Sequence, residues 1–254
     1  MFAEIQIVII VPDGLNFLHR LSWIQKMSSQ WLFPTPYCLF VRLSVRRERY
    51  IQFKELASKV AFAYQQHSRR MRWMAYATVA GPANYVYIML PLAELGDMDH
   101  MPSLDQVLAD VYGPESMPLL ERFQDCVLQM ETFVLNRVND GINPIEREQP
   151  PAYLYYLNLQ AQPGRMGQLM QNLQQLGLAT SGSPLFCFAT FAGPVRLHAF
   201  TMGNTIAELG EVASLERRVV NHFGAESGHK VISEIHDTLT DIDASILRYI
   251  GHLN

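Results

Sequence analysis

The sequence predicts an α+β chain built from two tandem copies of a strand–helix–strand–strand–helix–strand unit, and three observations carry that expectation. The 254 residues exceed one short domain and suit two units of roughly 100 to 115 residues with an N-terminal extension. Apolar residues make up 49% and charged residues only 17%, which excludes intrinsic disorder and calls for large buried surfaces. Short blocks also recur along the chain in the same order, which points to duplication.

Ala77-Thr78-Val79-Ala80-Gly81-Pro82 returns as Ala189-Thr190-Phe191-Ala192-Gly193-Pro194. Ala93-Glu94-Leu95-Gly96-Asp97 returns as Ala207-Glu208-Leu209-Gly210-Glu211, and Tyr112-Gly113-Pro114-Glu115-Ser116 as Phe223-Gly224-Ala225-Glu226-Ser227. The predicted organisation is an extension over 1–36, a first repeat over 37–140, a Pro-rich and turn-rich linker over 141–151, and a second repeat over 152–254.

The elements follow in chain order. The first strands, Tyr37 to Val45 and Tyr153 to Ala161, are rich in aromatic and large apolar residues. Helices follow, one with Phe53, Leu56, Val60 and Tyr64 at helical spacing, the other with Met166, Leu169, Met170, Leu173 and Leu176 and a stop at Gly177. Two hairpins come next, Met71–Ala80 with Tyr85–Leu90 and Leu185–Ala192 with Leu197–Met202, each turned at Gly-Pro. A short helix spans Leu104–Val111. A longer one carries Leu119, Leu120, Phe123, Val127 and Leu128, matched later by Val231, Ile232, Ile235 and Leu239. The closing segments, Thr132–Val138 and Ile242–Ile250, are assigned as strands on topology. This βαββαβ order is ferredoxin-like, with two helices on one sheet face, so the other apolar faces of the two copies are expected to stack on each other. In the extension, Ile5–Val11 and Leu15–Lys26 suit an extra strand and helix or a docked appendage, with a start at Met27 as an alternative.

On the Ala-Gly-Pro hairpins at 80–82 and 192–194 and the two Ala-Glu-Leu-Gly blocks, the sequence over about residues 37–250 resembles the dimeric α/β-barrel superfamily. It is most similar to tandem relatives of its NIPSNAP, EthD-like and antibiotic-biosynthesis-monooxygenase groups. The resemblance implies an intrachain α/β barrel with two functions in contention. One is a non-catalytic small-molecule-binding or interaction protein, placed first. The other is a cofactor-independent monooxygenase-like enzyme acting on an aromatic or polyketide-like substrate. Haem binding, known in the superfamily, comes third, because no counterpart of a haem-ligand segment is present.

The net charge of −4 does not suit a nucleic-acid partner. Charge is nevertheless segregated: residues 1–80 carry eleven Lys/Arg and four Asp/Glu, residues 81–140 two and ten, and residues 141–254 seven and ten. The basic run of Arg42, Arg46, Arg47, Arg49, Lys54, Lys59, Arg69, Arg70 and Arg72 is therefore expected to pair with the acidic segment rather than to hold an anionic ligand. Cys38, Cys126 and Cys187 are too scattered for a disulfide framework or zinc site, which suits a cytoplasmic location. No apolar run is long enough to cross a bilayer, so no membrane role is expected.

Catalytic templates fail in turn: Gly224-Ala225-Glu226-Ser227-Gly228 places its serine one position late for a nucleophile elbow, and no phosphate loop, dinucleotide fingerprint or H-E-x-x-H is present. His222, His229 and His236 are spaced by seven but broken by Gly224 and Gly228, and read as solvated helix positions. Asp97, Asp99 and His100 read as a helix cap or polar loop. Neither metal nor cofactor is assigned. A small apolar or aromatic ligand is expected in the concave space between sheet and helices of each half, and a homo-oligomer is admitted. The ligand-binding candidates are Trp73, Tyr76, Tyr85 and Tyr87 in the first half, and Asn158 and Arg196 in the second. His198, polar on an apolar strand beside Phe186 and Phe188, is the candidate acid or base, with Asn158 as its polar partner.

Overall fold

The computed structural model describes residues 31–33, 35–67, 73–138, 145–147, 149–179, 185–191, 195–213 and 215–253. The expectations for Ile5–Val11, Leu15–Lys26 and Met27, for Arg69, Arg70 and Arg72, and for the turn Ala192-Gly193-Pro194 lie outside the described residues.

Eight strands form one closed barrel: β2 (Tyr37–Val45), β3 (Trp73–Ala80), β4 (Tyr85–Leu92), β5 (Val127–Arg137), β7 (Tyr153–Ala161), β8 (Phe186–Thr190), β9 (Arg196–Gly203) and β10 (Leu239–Leu253). Their order around the barrel is β10-β3-β4-β2-β5-β8-β9-β7. Strands β3, β4, β2 and β5 are thus contiguous, as are β8, β9, β7 and β10. The barrel that the resemblance implies is present, and its two groups do more than pack sheet to sheet. They join edge to edge, through β5 on β8 and β10 on β3, which satisfies the backbone groups that a sandwich would leave open at four sheet edges. Outside the barrel, β1 (Trp31–Phe33) pairs antiparallel with β6 (Ile145–Arg147), a small ribbon that no sequence signal indicated.

Among the described residues, seven α-helices cover the outer face: α1 (Tyr50–His67), α2 (Leu104–Tyr112), α3 (Ser116–Cys126), α4 (Met166–Ala179), α5 (Ile206–Ala213), α6 (Leu215–Phe223) and α7 (Ala225–Thr238). Phe53, Leu56 and Val60 of α1, with Val107, Leu108 and Leu119, bury against Leu43, Val45 and Val86. Leu169 and Leu173 of α4, with Val219 of α6, bury against Leu157, Leu159, Leu197 and Ala199. The segment 127–137 is a strand, and so is 239–253, but both start earlier than the sequence suggests. Val127, Leu128 and Leu239 leave their helical stripes, because Val127 and Leu239 are the extended C-caps of α3 and α7 and the chain passes from helix to strand with no loop. Helix α4 runs through Gly177 to Ala179, a two-residue extension within the usual fraying of helix ends.

The Ala-Glu-Leu-Gly blocks occupy different structures. Leu95–His100 is a 3-10 turn whose Asp97 carboxylate accepts from the Ala93 and Glu94 amides, at 2.8 and 3.0 Å. In the second block, Glu208 and Thr205 cap the start of α5, with Glu208 accepting from the Asn204 amide at 2.8 Å. The matched letters therefore sit about three residues out of step relative to the ends of β4 and β9. Gly113 and Gly224, by contrast, both hold positive φ between successive helices, which only glycine adopts without strain.

The segregated charges meet across the fold. Arg42 pairs with Glu131, Arg49 with Asp125 at 3.4 Å, and the Arg46 guanidinium donates to the Asp125 carbonyl at 2.9 Å. Among the described residues no helix is long and apolar enough to cross a membrane. The three cysteines are buried and form no disulfide with one another.

Candidate functional site

Strand alternation divides each barrel strand into an outward set under the helices and an inward set, and cross-strand register fixes which inward residues are neighbours. Toward one end the interior is apolar: Cys38, Met74, Leu135, Leu154, Phe186, Phe188 and Leu247 are buried there with Tyr76. Phe40 is the hub at mid-depth, its ring centroid 5.5 to 5.7 Å from those of Tyr87, Tyr156, His198 and Phe200. Beyond Phe40 the interior turns polar. The ends of the strands that meet there bring together Arg42 on β2, Tyr85 and Tyr87 on β4, Glu131 on β5, Asn158 on β7, Thr190 on β8, Arg196 and His198 on β9, and Asp243 and Ser245 on β10.

His198 is 1% exposed. Its Nδ1 lies 2.9 Å from the Tyr156 hydroxyl and its Nε2 3.4 Å from Thr190 Oγ1, with the Tyr156 ring nearly parallel to the imidazole. Burial, and then the positive charges of Arg196 and Arg42, press its pKa down to about 3, so the ring is neutral at any physiological pH. Burial likewise pushes the Tyr156 phenol far above its ordinary value. The Tyr87 hydroxyl shares hydrogen bonds with Ser245 and Thr78 side chains, and burial raises its pKa against them. At the mouth the Arg42 guanidinium stands 5.2 Å over the Tyr85 ring and donates to Glu131. Burial opposes its charge, but the Glu131 hydrogen bond and carboxylate outweigh that and hold its pKa above the ordinary value.

Of the residues named from sequence, the structure brings Tyr85, Tyr87, Asn158, Arg196 and His198 to this one end of the barrel. Tyr76 is also inward but lies deeper, donating to the Pro151 carbonyl at 3.3 Å. Trp73 points the other way, with its ring 5.7 Å from that of Tyr64 on α1. The gathered set thus lies inside the closed barrel and not between sheet and helices, because edge-to-edge closure wraps one face of all eight strands around a common interior. Asn158 stands directly opposite His198 in the β7–β9 register, and opposite Asp243 in the β7–β10 register. Its Oδ1 is buried with no hydrogen-bond partner. Among the described residues, three further orphan polar atoms, Trp73 Nε1, Thr201 Oγ1 and Asn172 Nδ2, belong to residues outside this cluster.

Sequence reading missed Arg42, Glu131, Tyr156, Thr190, Asp243 and Ser245 as members of the site. The available signal was alternation: Asp243 and Ser245 share the phase of buried Leu247, and Arg42 that of Phe40. The remaining candidates do not assemble. His222, His229 and His236 are exposed on α6 and α7, with His229 3.7 Å from Glu216. Among the described residues no cluster of His, Cys, Asp and Glu could hold a metal ion.

No protein-family profile matches the chain, and no curated protein sequence matches it. Solved structures do. An anthrone oxidase-like protein aligns over 87% of this chain and 93% of its own length, at 8% identity and a TM-score of 0.55. A protein from Fusobacterium nucleatum described as a putative monooxygenase aligns over 87% and 94%, at 9% identity and a TM-score of 0.54. A NIPSNAP family protein from Agrobacterium tumefaciens aligns over 42% of this chain and 91% of its own, at 16% identity and a TM-score of 0.33. The chain is thus similar in fold to dimeric α/β-barrel proteins.

Proposed function

We propose that the chain is a fused pair of ferredoxin-like units, 37–140 and 152–254 joined by 141–151, whose shared barrel binds a small aromatic molecule at its polar end without transforming it. The strand order supports the fusion: β5-β2-β4-β3 and β10-β7-β9-β8 are the same arrangement of fourth, first, third and second strand in each half. A binding role rests above all on Asn158, a buried carboxamide with an unpaired oxygen among tyrosines, which costs stability unless a ligand or water completes it. Tyr85, Tyr87, Arg196 and His198 are its companions in this reading. Trp73 and Tyr76 take no part.

The alternative, a monooxygenase-like enzyme, draws support from the names of two structures with the same fold. Deprotonating an aromatic substrate for reaction with oxygen would need a base tuned near the working pH. His198, with its pKa near 3 and both ring nitrogens engaged, is a poor one and a better uncharged hydrogen-bonding wall. Native mass spectrometry of protein purified from its own host separates these readings. A retained small molecule that is lost in Asn158→Leu supports the binding site; retention in that variant moves the site elsewhere. Oxygen consumption with an anthrone-type substrate, abolished in His198→Gln, would establish the enzyme.

A further inference from the structure

Among the described residues, three polar side chains in one corner of the barrel each leave a charged group or an acceptor without a partner. Asn158 on β7 is 4% exposed, and its Oδ1 accepts nothing. Asp243 is its direct neighbour on β10, on the inward phase shared with buried Ser245 and Leu247. Arg196 lies on the inward phase of β9, two residues before His198, and faces Gln160, one inward position beyond Asn158 on β7. Neither the Arg196 guanidinium nor the Asp243 carboxylate enters an ion pair or hydrogen bond among the described residues. Arg42, at the same end, is by contrast already neutralised by Glu131. Both unpaired charges act on the Tyr156 phenol beneath them, and that of Arg196 on His198.

An unpaired cation and an unpaired anion on opposite sides of one central strand, with an orphan acceptor between them, complement a molecule that carries both charges. We infer that the barrel end binds a zwitterionic aromatic α-amino acid, its ammonium on Asp243 and Asn158 Oδ1 and its carboxylate on Arg196. The aromatic side chain would lie against the rings of Tyr85 and Tyr87. Charge-assisted bonds of this kind are the strong ones, and opposite charges held two strands apart select a dipolar head over either charge alone. This assignment rests on the binding reading above and adds the ligand class to it.

The test is calorimetric titration of the full chain with L-phenylalanine, L-tyrosine and L-tryptophan, set against phenethylamine, 3-phenylpropionate and uncharged 2-naphthol. At least one amino acid is expected to bind about tenfold or more tighter than either singly charged analogue. Arg196→Gln should reduce amino-acid affinity about tenfold while leaving phenethylamine unchanged, and Asp243→Asn should do the same while sparing 3-phenylpropionate. Both residues are partly exposed, and thermal melts of the two variants report whether they fold. Binding of naphthol or one singly charged analogue in preference to the amino acids overturns the zwitterion and leaves the aromatic site standing. No binding by any probe, together with empty protein from the native host, overturns both.

Discussion

His198 shows how a residue can be conspicuous in sequence while its surroundings stay hidden. A polar residue between Leu197 and Ala199 stands out in any reading of β9, and Asn158 does so in β7 for the same reason. Sequence cannot show that β2 and β5 close over them, nor that Phe40 and Phe133 exclude water from the imidazole, with centroids 5.5 and 5.3 Å away. Folding therefore favours the neutral ring. Its contribution to stability is complete above the unfolded imidazole value of about 6.5 and is lost as pH falls from there toward about 3, because the unfolded chain takes up the proton first. Thermal melts between pH 7 and pH 4.5 should show a smaller loss of melting temperature in His198→Gln than in the parent protein. Equal losses would mean that the imidazole is not what the acid titrates. Truncation to alanine is less informative, since it strands the Tyr156 hydroxyl and opens a void, at a cost of about 2–4 kcal/mol whatever the ring does chemically.

At the scale of elements, hydrophobic period and turn chemistry revealed most strands and helices, and failed where helix passes into strand without a break. Val127 and Leu239 continue an apolar stripe in the sequence, so a helical period runs past Cys126 and Thr238. Pairing of Val127 with Val45, and of Leu239 with Ala161, is what claims them for the sheet, and pairing is not written in local sequence. Glycines give a sharper lesson. Gly228 looks like a helix breaker, yet it lies inside α7, where an added Cβ would come within 2.6 Å of the Val220 Cα on α6. It is a contact residue for two crossing helices. Gly228→Ala should destabilise the protein by about 1–3 kcal/mol, since backbone must move to admit the methyl. Gly167→Ala in α4 meets nothing within 4 Å and should instead stabilise by about 0.5–1 kcal/mol. Denaturant midpoints of the two variants test this directly: shifts of the same sign would contradict the α6–α7 packing.

At the scale of the whole molecule, the α+β class was legible in the alternation of apolar strand and helix patterns along the chain. Closure into a barrel was legible only as an implication of the family resemblance and not from local pattern, since the joints depend on edges meeting across distant parts of the chain. The two joints are unequal. β10 and β3 share seven paired positions, whereas β5 and β8 share three, extended by the Phe191 amide on the Val134 carbonyl and the Val138 amide on the Cys187 carbonyl. Opening should therefore begin at the shorter joint, with amides around Asn136 and Thr190 exchanging hydrogen faster than those around Tyr76 and Tyr249 in hydrogen-exchange mass spectrometry. The longer joint has a consequence for the order of synthesis. Its strand β10 leaves the ribosome after the seven other barrel strands, so the free edge of β3 must wait, unpaired, while everything between Ala80 and Leu239 is made. An edge exposed for that long invites strand addition by a neighbouring nascent chain, and the Gly81 hairpin, which packs its backbone onto Ala244 and Ser245, closes the gap only when β10 arrives.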